Sequence, residues 1–292
     1  MQDGSRWLNI PGIRIISGAV ALVLALVWVT LGGWYFSAGV AALVFWGQRE
    51  YFELARRKGI LPATKTTLVV SQILIVIATI APDLADAVLP IGGSWICFYL
   101  LFQPKLATIA DIATSILGLF YGGYLPSFWV RLRGLQQSTY SNLPLLGFWP
   151  DGGEWPLGLK VTLLTFGCIW AADIGAFFFG RAFGKTKLSE ISPKKTVEGA
   201  VFGVMASICV GTLGAMQLTW PWGLGLALGL MTGITSLLGD LTESMMKRDA
   251  GVKDSGQFIP GHGGILDRAD SYVFTAPLAY YFVTLLVPLL VG

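Results

Sequence analysis

Residues 221–270 read "PWGLGLALGLMTGITSLLGDLTESMMKRDAGVKDSGQFIPGHGGILDRAD", an apolar run that turns directly into a polar, charged, glycine-rich one. Crossing the hydrocarbon of a bilayer takes about 20 apolar residues of helix, and positions 221–243 supply them. A second such run, 271–291, follows the polar segment. That alternation marks a membrane protein, and the remainder of the chain repeats it. Of 292 residues, 54% are hydrophobic and 13% charged, with a mean hydropathy of +0.67. Soluble domains are roughly a quarter charged. Candidate spans fall at 14–31, 33–52, 66–82, 84–102, 106–126, 157–180, 198–217, 221–243 and 271–291, the fourth interrupted by Pro90 and Gly92–Gly93. The expected fold is therefore all-α, a polytopic integral membrane protein with about nine transmembrane helices. The first run is too long for the apolar part of a signal peptide and lacks a small-residue cleavage site, so it reads as a retained helix.

Basic residues collect on the cytoplasmic side of membrane proteins. With a cytoplasmic N-terminus and nine alternating spans, only Arg131, Arg133 and Lys160 of the 20 Lys and Arg fall outside. The connections 48–65, 181–197 and 244–270 then share the inner side, and what they bind is a cytosolic solute or an inner-leaflet head group. The net charge of +3 is too small to imply a partner, and no nucleic-acid partner is expected. Cys97, Cys168 and Cys209 stand singly in apolar runs, without metal-ligand or disulfide spacing, and read as packing residues. Trp34, Trp46, Trp129, Trp149, Trp155, Trp220 and Trp222 lie near span ends, as an aromatic belt does.

Ionisable groups inside spans are costly and usually line polar cavities. Asp111, Asp173 and Asp240 qualify. For Asp111 the expected role is a hydrogen bond to a neighbouring helix. At 3.6 residues per turn, Asp240, Glu243, Ser244 and Lys247 fall on one helical face. Asp267 and Asp270 recur three apart and would share a face if the last helix begins early. Clustered carboxylates repel one another and call for a cation, and oxygen ligands favour Mg²⁺ or Ca²⁺ over zinc. With Lys194, Lys195, Lys247, Arg248, Lys253 and Arg268 in the same inner loops, the expected ligand is a phosphate-rich anion bridged by metal, hence phosphoryl or nucleotidyl transfer. The glycines of "PGHGG" allow close backbone approach, and His262 between them reads as a phosphate contact or proton donor. In "ISPKKTVEGA", 191–200, either Ser192 or Thr196 caps a helix, leaving Lys194 and Lys195 beside a helix N-terminus, a natural anion site.

The 27 residues from Ser244 to Asp270, "SMMKRDAGVKDSGQFIPGHGGILDRAD", resemble the signature of phosphatidate cytidylyltransferases, also called CDP-diacylglycerol synthases. "SPKKTVEG" and "ADIGAFFFGRAFGK" resemble two upstream blocks of that family. Ala269 departs from it, standing where a larger apolar residue or threonine is usual. The resemblance implies a reaction in which CTP and phosphatidate give CDP-diacylglycerol and pyrophosphate, assisted by Mg²⁺ with a companion monovalent cation such as K⁺. It implies Asp240 and Asp267 as principal metal ligands, with Glu243, Asp270 and Asp173 as additional ones. Lys247, Arg248, Lys253, Arg268, Lys194 and Lys195 would hold phosphates, while Ser244 and His262 help position them. Residues 157–292 form the expected catalytic region. Residues 1–156 form an expected lipid-facing region, also a candidate for oligomerisation, as in a homodimer. The expected location is a bacterial inner membrane with the site facing the cytosol, an organelle membrane being the alternative. Two rival readings are a CTP-dependent polyprenol- or phytol-type lipid kinase and a cation transporter. Transporters often show internal repeats, and none is visible here.

Overall fold

The computed structural model describes residues 11–136, 155–258 and 263–291. Among these the chain is helical, with no strand and one isolated antiparallel bridge between Lys187 and Thr196. The helices are α1 Pro11–Leu31, α2 Gly33–Arg57, α3 Thr64–Ile80, α4 Ala85–Leu101, α5 Ile109–Leu119, α6 Leu125–Arg133, α7 Leu157–Phe183, α8 Val197–Gln217, α9 Trp222–Asp249, α10 Leu266–Val273, α11 Thr275–Tyr281 and α12 Val287–Val291. A π-helical turn, Phe120–Tyr124, joins α5 to α6, and another, Phe282–Leu286, joins α11 to α12.

Every expected run coincides with helix, but among the described residues five rods are long and apolar enough to cross a membrane. They are Pro82–Leu101, Leu157–Phe183, Val197–Gln217, Trp222–Asp249 and Leu266–Leu290. α3, Thr64–Ile80, is a shorter apolar helix, as is the stretch Gly18–Leu31 of α1 taken alone, and α2 ends in the polar sequence "GQREYFELARR". The architecture fits a multi-pass membrane protein. Pro90 does not break α4, which continues through it. The last rod starts at Leu266 rather than 271, so Asp267 and Asp270 do sit on a helix.

Helix α8 lies between α7 and α9, and small residues set that packing. Its buried positions are Gly199, Gly203, Ser207, Gly211 and Ala215, every fourth residue, answered on α9 by Gly225, Gly229 and Gly233. A Cβ added at Gly203 would lie 2.6 Å from the Ala172 carbonyl oxygen, and one at Gly229 2.5 Å from that of Ser207. The Ser207 hydroxyl donates to the Gly229 carbonyl at 2.8 Å. In lipid, where apolar side chains gain little by meeting one another, such backbone approach and interhelical hydrogen bonding hold helices together.

The larger side chains pack elsewhere. One core cluster joins Phe36, Leu74, Phe128 and Trp129 to Ile169, Leu228 and Ala276, spanning both sides of the boundary near residue 156. Trp129 therefore departs from the belt expectation. It is buried against Phe166 and its indole N–H donates to the Tyr272 carbonyl at 3.1 Å. Trp34 and Trp222 are exposed, as a belt requires. Asp111 reciprocates with Thr108 in a capping box at the start of α5, and also accepts from the Leu61 backbone N–H at 2.6 Å. Its role is that of a helix cap tied to the α2–α3 connection. Cys97, Cys168 and Cys209 are all free.

The three connections expected on one side do meet. Lys58, after α2, pairs with Asp249 at the end of α9 at 3.1 Å. The Arg248 Nε donates to the Ile191 carbonyl at 3.4 Å, in the α7–α8 connection.

Candidate active site

The α9 face inferred from spacing is real and turned inward. Glu243, Ser244 and Lys247 are buried, and Asp240 is half-buried one turn earlier. Gly239 lets α10 approach this face, since a Cβ there would lie 2.5 Å from the Asp270 carbonyl oxygen. Lys247 is the hub: its ammonium pairs with Glu243 on the same helix and with Asp267 Oδ1 at 2.6 Å. Glu243 is fully buried, and neither of its oxygens has another hydrogen-bond partner. One ammonium thus bridges two carboxylates away from water, an arrangement stable only while all three members remain.

Asp267 is held on its other oxygen as well. Its Oδ2 accepts from the Ser255 N–H at 2.9 Å, the Ser255 hydroxyl at 3.0 Å and the Gly264 N–H at 2.8 Å. Gly263, at φ 81°, supplies the left-handed turn that aims the Gly264 N–H inward.

A second acidic group lies beside the first. Asp240 pairs with Lys195 and accepts from the Ser244 hydroxyl at 3.3 Å. Asp173, on α7, accepts from the Ser236 hydroxyl at 3.3 Å. Asp270 lies close enough to feel the charges of Asp240, Asp173 and Lys195. Lys195 is carried in by the loop before α8, where its carbonyl accepts from the Leu188 N–H at 2.9 Å and Thr186 O accepts from Val197 N–H at 2.9 Å. Glu198 closes that loop by accepting from Lys185 and Thr186. The helix cap is Thr196, whose hydroxyl accepts from Gly199 N–H at 3.2 Å; Ser192 sits in the preceding turn and does not cap α8.

Of the other basic candidates, Arg248 donates to the Val252 carbonyl at 2.8 Å. Lys194, Lys253 and Arg268 are exposed. His262 lies outside the described residues.

Sequence reasoning missed two residues. Glu50 lies inside the expected span 33–52 but was not among the intramembrane carboxylates named there, Asp111, Asp173 and Asp240; its place in that span is the one signal that would have exposed it. Its carboxylate meets Ser255, Ile265 and Leu266. Tyr121, on the π-helical turn, is buried with an unpartnered hydroxyl and sits within electrostatic reach of Glu243, Asp270 and Asp240. π-Turns frequently mark functional sites.

Among the described residues no three Asp, Glu, His or Cys groups converge to cage an ion. Instead ammonium groups stand against Asp240, Glu243 and Asp267, and Glu243 Oε1 is a buried acceptor without a hydrogen-bond donor. A divalent cation here would therefore be held by one or two carboxylates with water and phosphate oxygens, the usual mode of Mg²⁺, rather than by an all-protein cage.

Comparison with known proteins gives the same direction. The model of the cytidylyltransferase family matches residues 12–286. A phosphatidate cytidylyltransferase of Synechocystis sp. is 62% identical over 289 residues, covering 96% of this chain and 99% of that one. The chloroplastic phosphatidate cytidylyltransferase 4 of Arabidopsis thaliana is 43% identical, covering 93% of this chain and 71% of its own. A phosphatidate cytidylyltransferase of Bacillus subtilis is 34% identical over 64% of each chain. With its signature residues gathered on two touching helices and the family model matched almost end to end, this chain belongs to the cytidylyltransferase family.

Proposed function

We propose that the protein is a phosphatidate cytidylyltransferase, converting CTP and phosphatidate to CDP-diacylglycerol and pyrophosphate. The observation that carries this is the convergence of Asp240, Glu243, Lys247, Asp267 and Asp270, all from the matched signature region, beside Lys195. A phosphate monoester is already anionic at neutral pH, so its oxygen attacks the α-phosphorus of CTP without a strong base. The new P–O bond forms as the bond from that phosphorus to the β-bridging oxygen breaks, and pyrophosphate leaves. Such a reaction needs charge neutralisation and alignment.

Lys195, Lys194, Arg248, Lys253 and Arg268 would hold phosphates, with Lys247 keeping the two buried carboxylates in place and Ser244 orienting Asp240. His262 would assist from the signature loop. Mg²⁺, with a companion monovalent cation such as K⁺, would be held by Asp240 and Asp267, with Asp270, Asp173 and Glu243 as further ligands, and would supply charge neutralisation at the phosphates. Asp267 and Glu243 are committed to Lys247 and Asp240 to Lys195 in this arrangement, which leaves Asp270 and Asp173 as the more available ligands.

The nine-span arrangement with a cytoplasmic N-terminus belongs to the same reading. It places the site at the inner face of a bacterial cytoplasmic membrane, where a nucleotide from the cytosol meets a lipid from the bilayer. Residues 157–292 would do the chemistry, with 1–156 as lipid-facing scaffold and the region for any homodimer contact. The test is an incubation of purified protein with CTP, phosphatidate and Mg²⁺. CDP-lipid and pyrophosphate are expected; CDP with a phosphorylated alcohol would make it a lipid kinase, and metal uptake without CTP turnover a transporter.

A further inference from the structure

Glu50 is a charged side chain from α2, far in sequence from the signature, yet it closes the signature segment. Its Oε1 accepts from the Ile265 N–H at 3.0 Å and its Oε2 from the Leu266 N–H at 2.9 Å. The Ser255 hydroxyl lies 2.9 Å from Glu50 Oε2 and 3.0 Å from Asp267 Oδ2. One hydroxyl proton therefore serves two carboxylates. Three consecutive amides at the start of α10, those of Gly264, Ile265 and Leu266, are shared out between Asp267 and Glu50. These amides have no partner within the helix, and carboxylates are favoured there by the helix dipole. Two glycines admit the clamp: a Cβ at Gly256 would lie 2.5 Å from Glu50 Oε1, and one at Gly264 would collide with Glu50 Oε2 and the Ser255 hydroxyl.

We propose that Glu50 is a positioning residue for the reaction: it fixes the start of α10, and with it Asp267 and Asp270, against the Lys247 face of α9. This rests on the cytidylyl-transfer reading of the same site. Glu50 touches neither Lys195 nor Lys247, so it acts on alignment alone. Glu50→Gln turns an amide NH₂ toward backbone N–H donors, replacing an attraction by a clash of donors. Losing hydrogen bonds to a charged acceptor predicts a fall of about 10- to 100-fold in kcat, with KM for CTP within about threefold. Ser255→Ala, which removes the shared proton while keeping both backbone contacts of Glu50, should cost about 3- to 30-fold. The double variant should lose less than the product of the two.

The experiment measures turnover per folded molecule for Glu50→Gln, Ser255→Ala, the double variant and Glu53→Gln. Glu53 is exposed and paired only with Arg56 at 3.8 Å, so its variant should match the parent. Hydrogen–deuterium exchange is followed in parallel on peptides spanning 263–270. Faster exchange confined to 263–270, with the kcat loss and non-additivity, supports the assignment. Unchanged exchange with turnover within twofold overturns it, and so does exchange rising equally across α7–α9, which would mean general destabilisation. If Glu50→Gln does not fold, Ser255→Ala decides by the same two readouts. Should the parent protein make no CDP-lipid, the reaction reading fails, and exchange alone decides on Glu50.

Discussion

Replacing Lys247 by methionine isolates the energetics of the buried charge group. The side chains of Lys247, Glu243 and Asp267 are 10%, 0% and 6% exposed. Without the ammonium, Asp267 keeps three donors on Oδ2, but Glu243 keeps none. Glu243 then carries almost the whole penalty. Breaking a buried pair by removing one partner costs about 3–5 kcal/mol. Adding Glu243→Gln removes the stranded charge and leaves an unpaired amide, whose burial costs about 1–3 kcal/mol. Lys247→Met should therefore destabilise the fold by about 3–5 kcal/mol, and the double variant should recover about 2 kcal/mol of it. Unfolding in mixed SDS micelles, followed by far-UV circular dichroism, measures both, while CDP-lipid formation should stay lost in each. A Lys247→Met protein as stable as the parent would refute the argument, as would a double variant no more stable than the single one.

Four other substitutions or treatments test other parts of the protein. Asp240→Asn should cut turnover by about 10²–10³-fold, yet change stability by less than about 1 kcal/mol, because its pair with Lys195 is 29% and 27% exposed. Asp267→Asn should lose both turnover and stability, since it gives up its charge toward Lys247 and toward the loop amides; the two variants are separated by the same unfolding and product assays. Chelation of divalent ions should abolish CDP-lipid formation, with Mg²⁺ restoring it in a turnover assay. Gly203→Leu should prevent α8 from seating, costing at least about 3 kcal/mol; the yield of monodisperse protein in detergent reports it.

What the sequence disclosed follows from how local each feature is. The α9 face was legible because helical spacing alone puts Asp240, Glu243, Ser244 and Lys247 together, and the Asp267–Asp270 pair because three-residue spacing says the same. Which carboxylate each lysine would meet was not, since Lys195–Asp240 and Lys247–Asp267 depend on how α8, α9 and α10 pack. Glu50 escaped because it follows Gln48 and Arg49 where the span 33–52 overlaps the polar connection 48–65, so one more charge there stands out little, and its partners are mostly backbone amides, which leave no mark in a sequence. The choice between Ser192 and Thr196 turned on the bridge from Lys187 to Thr196, a contact made only once the loop folds back. Trp129 looked like a belt residue because it sits near a span end, but its indole is consumed by the core.

The spacing of small residues along α8 also limits how that helix can move. Gly199, Gly203, Ser207, Gly211 and Ala215 repeat every fourth position, so the helix meets its neighbours like the teeth of a rack. A slide of one, two or three residues would bring Val204, Met205 or Ala206 to the place where Gly203 now meets the Ala172 carbonyl. The next register that fits lies four residues away, about 6 Å along the axis at 1.5 Å per residue. This packing opposes small sliding motions of α8. The expected place for any rearrangement is then the loop before it or the short α10, with α7, α8 and α9 packed together beneath them.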